Sequence, residues 1–231
     1  MAIFSTRAAL PLALSLNAGF VDTAGFLALQ GLFTAHVTGN FVTLGASLAL
    51  GTSGAIAKLL ALPVFCAVVI AARLFGTLLS NRAMRAFEIL LGIKVLLLIG
   101  GAALAIRFGP FHDGDSREAI LTGMVLVAAM AIQNAVHRVH LGSVPPSTLM
   151  TGTTTQIMLD LADRIYTRTG ETAQPTSRLA RMSTNIVVFA IGCGAAALLF
   201  MRFGVWCFVV PPVLAVFSLI LRLAESPKAD A

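Results

Sequence analysis

Apolar residues come in long runs separated by short polar breaks, and the run lengths set the architecture. The first run, residues 8–33, exceeds one membrane crossing and is interrupted by Asn17, Gly19, Asp22 and Gly25. Thr34-Ala-His-Val-Thr-Gly-Asn40 follows, then a short apolar piece at 41–50 and the turn Gly51-Thr-Ser-Gly54. Longer runs occupy 59–79, with Arg73 inside, and 89–106, with Lys94 inside. The loop 107–118 carries Gly109, Pro110 and Gly114 and breaks the helix. The run 120–136 ends in Gln133-Asn134, followed by a polar turn and a Thr-rich piece at 148–160. Residues 164–181 form the longest polar stretch, and 186–201 and 205–221 are the last two apolar runs. Pro211-Pro212 is expected to kink the final one. A helical crossing needs about 20 mainly apolar residues. The pattern therefore predicts an all-α polytopic membrane protein of six main spans plus two short re-entrant or half helices.

Composition narrows this further. Of 231 residues, 58% are hydrophobic and 11% charged, against roughly 25% charged in a soluble domain. That density cannot cover a water-soluble surface, which excludes an ordinary soluble enzyme, a disordered chain and a disulfide scaffold. The net charge of +6 falls mostly between apolar runs. It points to topology and anionic headgroups rather than nucleic acid. Cys66, Cys193 and Cys207 lie inside apolar stretches with no disulfide or metal spacing. The N-terminal apolar run lacks a clean cleavage site and reads as an uncleaved first helix.

The chain also carries a weak internal repeat, with copies at about 8–107 and 117–224. Thr38-Gly39-Asn40 aligns with Thr151-Gly152-Thr153, so that His36 faces Leu149. Allowing one inserted residue, Asp22 falls on Asn134. Paired, Gly-interrupted segments are the mark of repeat-built transporters, with the binding site at the interruptions.

Loop charges barely choose between six and eight crossings. With six and the N-terminus inside, Arg7, Arg82, Arg85, Arg138, Arg164, Arg168, Arg178, Arg181, Arg222 and Lys228 face the cytoplasm. Lys58, Arg107, Arg117 and Arg202 face out. Arg73 and Lys94 are expected to snorkel toward the 81–85 loop, which places that loop inside and favours six crossings.

Asp22 is the sharpest single residue. A carboxylate in an apolar helix is costly unless paired, protonated or wetted. It reads either as a proton or cation site or as a buried acceptor capping the broken helix near 34–39. His36 reads as a proton relay or a polar anchor. The Thr-Gly pairs offer hydroxyls and bare backbone at helix starts, where Ser, Thr and Asn serve as N-caps and free N–H groups attract ligands. The close packing of small residues is the competing reading. Thr153 to Gln156 form a polar face expected to line the same cavity. His112, Asp113 and Asp115 read as a solvated loop. The candidate solute site is Asp22, His36, Thr38, Gly39, Asn40, Asn134, Thr151, Gly152 and Thr153. No catalytic constellation, metal set or cofactor motif is recognisable, so no enzyme is expected.

Asn17-Ala-Gly-Phe-Val-Asp-Thr-Ala-Gly-Phe26 and Gly31-Leu-Phe-Thr-Ala-His-Val-Thr-Gly-Asn40 resemble the YoaK family, small bacterial inner-membrane proteins catalogued as a domain of unknown function. Ala131-Ile-Gln-Asn134 and Thr148-Leu-Met-Thr-Gly152 are similar to that family's second-half signature, and the resemblance runs from about residue 8 to 223. His137, Arg138 and His140 depart from it. The resemblance implies a multi-pass membrane protein and carries no settled substrate. The expected function is movement of a small polar or ionic solute across the inner membrane, with Asp22 the candidate for proton coupling and both termini cytoplasmic. The alternative is a non-transporting protein that binds a partner or lipid. The bilayer and the solute are the expected partners, and a second copy of the chain is a further candidate.

Overall fold

A computed structural model describes residues 6–148, 150–166 and 176–225. Arg168 and Lys228, assigned above to the cytoplasm, lie outside the described residues, as does the Arg7 side chain. The described residues form helices and connecting loops, with no strand among them. The helices are α1 (Thr6–Ala28), α2 (Asn40–Leu50), α3 (Ala55–Asn81), α4 (Ala86–Phe108), α5 (Arg117–His140), α6 (Met150–Tyr166), α7 (Thr176–Phe203) and α8 (Val210–Glu225). Five stretches are long and apolar enough to cross a membrane: Ala9–Ala28, Ala55–Asn81, Ala86–Phe108, Arg117–His140 and Arg178–Ala224.

The last stretch covers two helices. The break falls at Phe203 and Gly204, where Gly204 takes φ +56°, a left-handed conformation that glycine adopts without strain. A 3-10 segment, Gly204–Val209, follows. Pro211 and Pro212 do not kink a span, as the sequence suggested. They occupy the first turn of α8, where a missing N–H removes no intrahelical bond.

α1 and α5 are the most buried of these stretches, and they run in opposite directions. Gln133 Nε2 donates to the Leu14 carbonyl near the start of α1, while Gly123, near the start of α5, faces Leu29 and Leu32 at the other end. α7 runs parallel to α1. Gly19 and Gly192 let the two backbones meet: a Cβ on either would lie 2.3 Å from a main-chain oxygen of the other helix. Small residues serve this purpose in membranes, where packing rather than hydrophobicity draws helices together. α4 packs antiparallel on α5, with Gly101 against Leu126. α8 returns along α4, bringing Arg222 Nε within 3.2 Å of Glu88 Oε1.

Two loops fold back along the helices they leave. After α1 the chain turns and descends until the Thr34 and Ala35 amides reach Asp22. α2 then climbs back, so that Gly54 meets Gly114 and Gln30 beside the end of α1. Residues 29 to 54 thus leave and return at one end of the bundle. After α5 the chain likewise folds back. Ser147 reaches Gln133 and Thr148 reaches Asn134.

Two charged groups differ from expectation. Lys94 does not snorkel. It is fully buried, and its Nζ meets Gln133 Oε1 at 2.5 Å, because it sits on the face of α4 that packs against α5. Arg73 is exposed, so the snorkelling argument rests on it alone. Asp115 does not simply dissolve into a solvated loop. Its Oδ2 accepts from the Gly54 and Ala55 amides at 2.9 and 3.1 Å, and its Oδ1 from Ile56 and Ala57 at 2.8 and 3.3 Å. It supplies from a distance the cap that α3 lacks locally.

Candidate functional site

Asp22 lies six residues before the end of α1, about 9 Å along its axis, and is 4% exposed. Its two oxygens do different work. Oδ1 accepts from the Thr34 and Ala35 amides at 2.8 and 2.7 Å, groups that the descending loop exposes and no helix satisfies. Oδ2 faces His36 Nδ1 at 2.6 Å. The capping and ion-pair readings of this carboxylate therefore describe its two halves. Oδ1 takes N–H donors only from the main chain, which leaves Oδ2 to face the His36 ring.

His36 stands between the first loop, α7 and the loop that follows α5. Its ring meets Phe33 and Phe189 edge-on, at centroid distances of 6.3 and 5.5 Å. It also reaches the main-chain carbonyl of Thr148, in the loop that folds back from α5.

The Thr-Gly elements separate. No side chain caps the 3-10 turn Val37–Gly39 or α2, so the expected N-cap role does not hold there. Asn40 instead clamps Phe33, accepting from its N–H and donating to its C=O, both at 2.8 Å. Gly39 packs on the Phe33 ring, and a Cβ there would lie 3.0 Å from it. Thr38 and Gly39 border a cavity of about 540 Å³ together with Asp22, Thr23, Phe26, Phe33, His36, Phe189 and Cys193.

The second copy is not a turn. Thr151, Gly152 and Thr153 lie in the first turn of α6, and open space surrounds the position of a Gly152 Cβ. Thr153 is buried against another cavity, of about 430 Å³, beside Pro146, Arg178 and Arg181. Thr154 and Thr155 bond back to the carbonyls of Met150 and Thr151. That face therefore does not line the Asp22 cavity. What meets the first loop is Thr148, whose Oγ1 donates to Asn134 Oδ1 at 2.5 Å. Asp22 and His36 are fourteen residues apart, and so are Asn134 and Thr148. This spacing was present in the sequence and would have found Thr148.

Lys94, Gln133 and Ser147 were also missed as a group. Gln133 accepts from Lys94 and donates to Ser147 Oγ at 3.0 Å. Asn185, in α7, donates to the Pro146 carbonyl. The second loop is thus tied into α4, α5 and α7. Among the described residues, no three His, Cys, Asp or Glu side chains converge to hold a metal.

A family model described as "Protein of unknown function (DUF1275)" matches residues 10–221. The chain is 28% identical over 218 residues to the UPF0700 transmembrane protein YoaK of Bacillus subtilis strain 168, covering 90% of each chain. No solved structure matches.

Proposed function

The chain belongs to the DUF1275 family, and from that premise we propose that it carries a small polar or ionic solute across the bilayer, coupled to a proton held between Asp22 and His36. It is an integral membrane protein, as its transmembrane relative and apolar helices indicate. The observation that carries the transport reading is the Asp22–His36 pair itself. It is a buried carboxylate and an imidazole 2.6 Å apart, bordering a cavity, and the Thr148 carbonyl of the second folded-back loop reaches the imidazole. A purely structural acceptor needs only the Oδ1 contacts.

The architecture proposed with it is two inverted repeats, at about 8–107 and 117–224, each with three crossings and one re-entrant loop. Three relationships support it. α1 and α5 run in opposite directions. α1 packs on α7 as α5 packs on α3, and α4 on α5 as α8 on α1. The two fourteen-residue spacings place Asp22 on Asn134 and His36 on Thr148, with no insertion needed. Inverted repeats with interrupted segments at their interface are how many secondary transporters are built.

Arg82, Arg85, Arg138, Arg178, Arg181 and Arg222 sit at the end where α3 meets α4, and Arg107, Arg117 and Arg202 at the other. The positive-inside rule makes the first end cytoplasmic. Both termini then lie inside, in the inner membrane of a bacterial cell. This reading involves no covalent chemistry on the solute. The test is proton movement in proteoliposomes driven by added solutes and lost in Asp22→Asn. Solute uptake that proceeds equally in that variant would remove the coupling role.

A further inference from the structure

The Asp22–His36 pair shares its cavity with three aromatic rings, and the combination names a class of solute. Phe26, Phe33 and Phe189 line the cavity beside Asp22 and His36. The Phe26 and Phe33 rings are 4.9 Å apart, and Phe189 stands edge-on to His36 at 5.5 Å. Ring faces carry partial negative charge, and cations bound over them are attracted electrostatically. No Lys or Arg lines the cavity among the described residues. The facing groups that titrate are Asp22 on α1, His36 on the first loop and the Cys193 thiol on α7, and the Thr148 carbonyl of the second loop reaches the His36 ring. An anion would find a carboxylate and no fixed positive partner. A polyhydroxy solute would find only the hydroxyls of Thr23 and Thr38.

We propose that this cavity takes an organic cation, an amine or quaternary ammonium with an apolar body, and that the cation enters by displacing the proton His36 holds against Asp22. This deepens the transport reading and rests on it. Before entry, imidazolium and carboxylate form the pair at 2.6 Å. On entry the cation takes the place of the imidazolium at Oδ2, one proton leaves His36 for solvent, and Oδ1 keeps its two amides. The neutral imidazole retains the Thr148 carbonyl as acceptor. One positive charge faces Asp22 in either state, so the exchange is one cation for one proton. Affinity therefore rises with pH, because the competitor is the protonated imidazole.

The probe is benzyltrimethylammonium, with benzenesulfonate and benzyl alcohol as anionic and neutral controls. Binding to the purified full chain is measured by calorimetry from pH 5.5 to 8.5 in buffers of different ionisation enthalpy. The expected result is cation binding that weakens about tenfold per pH unit at the acid end, with about one proton released per cation bound. His36→Gln should bind the cation without the pH dependence. Asp22→Asn, checked for folding by thermal unfolding, should lose binding by at least tenfold, and Phe189→Leu should weaken it several-fold. The proposal is overturned if either control binds as tightly, if the cation does not bind, or if wild-type binding is independent of pH. The two readings fail separately. Asp22-dependent proton movement driven by an anion or neutral solute keeps transport and removes the cation. Tight, pH-dependent cation binding without any proton movement in proteoliposomes removes transport and keeps the site.

Discussion

Lys94 and Gln133 meet inside the α4–α5 interface, nitrogen to amide oxygen at 2.5 Å, with Lys94 wholly buried. The same amide donates to the Leu14 carbonyl and the Ser147 hydroxyl. Four segments of the chain therefore share one polar knot in an otherwise apolar interior. Removing one partner of such a pair leaves the other unsatisfied at low dielectric, which costs more than removing both. Gln133→Leu should destabilise by about 3 kcal/mol or more. Lys94→Met should be milder, because the amide keeps its two donor bonds. The double variant should be more stable than the sum of the two losses predicts, with a coupling of about 0.5–3 kcal/mol. Unfolding of the purified variants in detergent measures all three, and strict additivity would show that the contact carries no energy.

Asp115 holds the start of α3 from sixty residues away, through four amide contacts. Asp115→Ala should cost about 1–2 kcal/mol, in the range of a lost N-cap, and Asp115→Asn rather less, since Asn also caps. Equal stability of wild type and the Ala variant in thermal unfolding would mean that water replaces the carboxylate freely.

The run lengths gave most of the helices, because burial in lipid forces apolar stretches of fixed length. They also marked the short helix at 41–50, which forms as α2. What the sequence concealed was contact across distance. Asp115 looked like any loop acid, since nothing local says which helix end it reaches. Lys94 looked like a snorkelling cation, because a run of apolar neighbours does not reveal which face of α4 meets α5. The Thr-Gly match misled for a related reason. Thr151-Gly152 resembles Thr38-Gly39 in letters, yet it sits inside α6, while the residue that meets the first loop is Thr148. Asp22 and His36 were legible because a carboxylate and an imidazole in an apolar context demand a partner.

The two glycines should now part company. Gly39→Leu drives a side chain into the Phe33 ring, 3.0 Å from where a Cβ would stand. It should disturb the loop and cut activity severely. Gly152→Leu enters open space on an exposed helix surface and should leave stability within about 0.5 kcal/mol. Comparing expression, unfolding and transport of the two variants checks this, and equal damage would restore the paired-turn idea.

Orientation is open to direct labelling. In a background without the native cysteines, Thr52→Cys and Met84→Cys place thiols at exposed positions on opposite ends of the bundle. An impermeant thiol reagent added to intact cells should reach the first and not the second. Labelling in the reverse order would invert the topology, and labelling of both would dispose of the opposed ends that six crossings require.

Asp22 has two oxygens with two tasks, and substitutions separate them. Asp22→Asn keeps an oxygen for the Thr34 and Ala35 amides, now at 2.8 and 2.7 Å, and removes the charge that faces His36. The variant should insert and fold with a loss of about 1 kcal/mol, the difference between charged and neutral hydrogen bonds. Asp22→Ala leaves both amides without an acceptor in the interior, at about 1–3 kcal/mol for each. It should express poorly and unfold at markedly lower temperature. Solute-driven proton movement should vanish in both variants, for different reasons: loss of the titrating pair in the first and loss of the loop geometry as well in the second. His36→Gln completes the set. It leaves the Oδ1 contacts untouched and offers an amide N–H in place of the imidazole, so its stability should fall less than that of Asp22→Ala while proton coupling is lost. Full coupling in Asp22→Asn would confine this carboxylate to holding the loop, and the proton would have to be sought elsewhere, with buried Lys94 the next group to test.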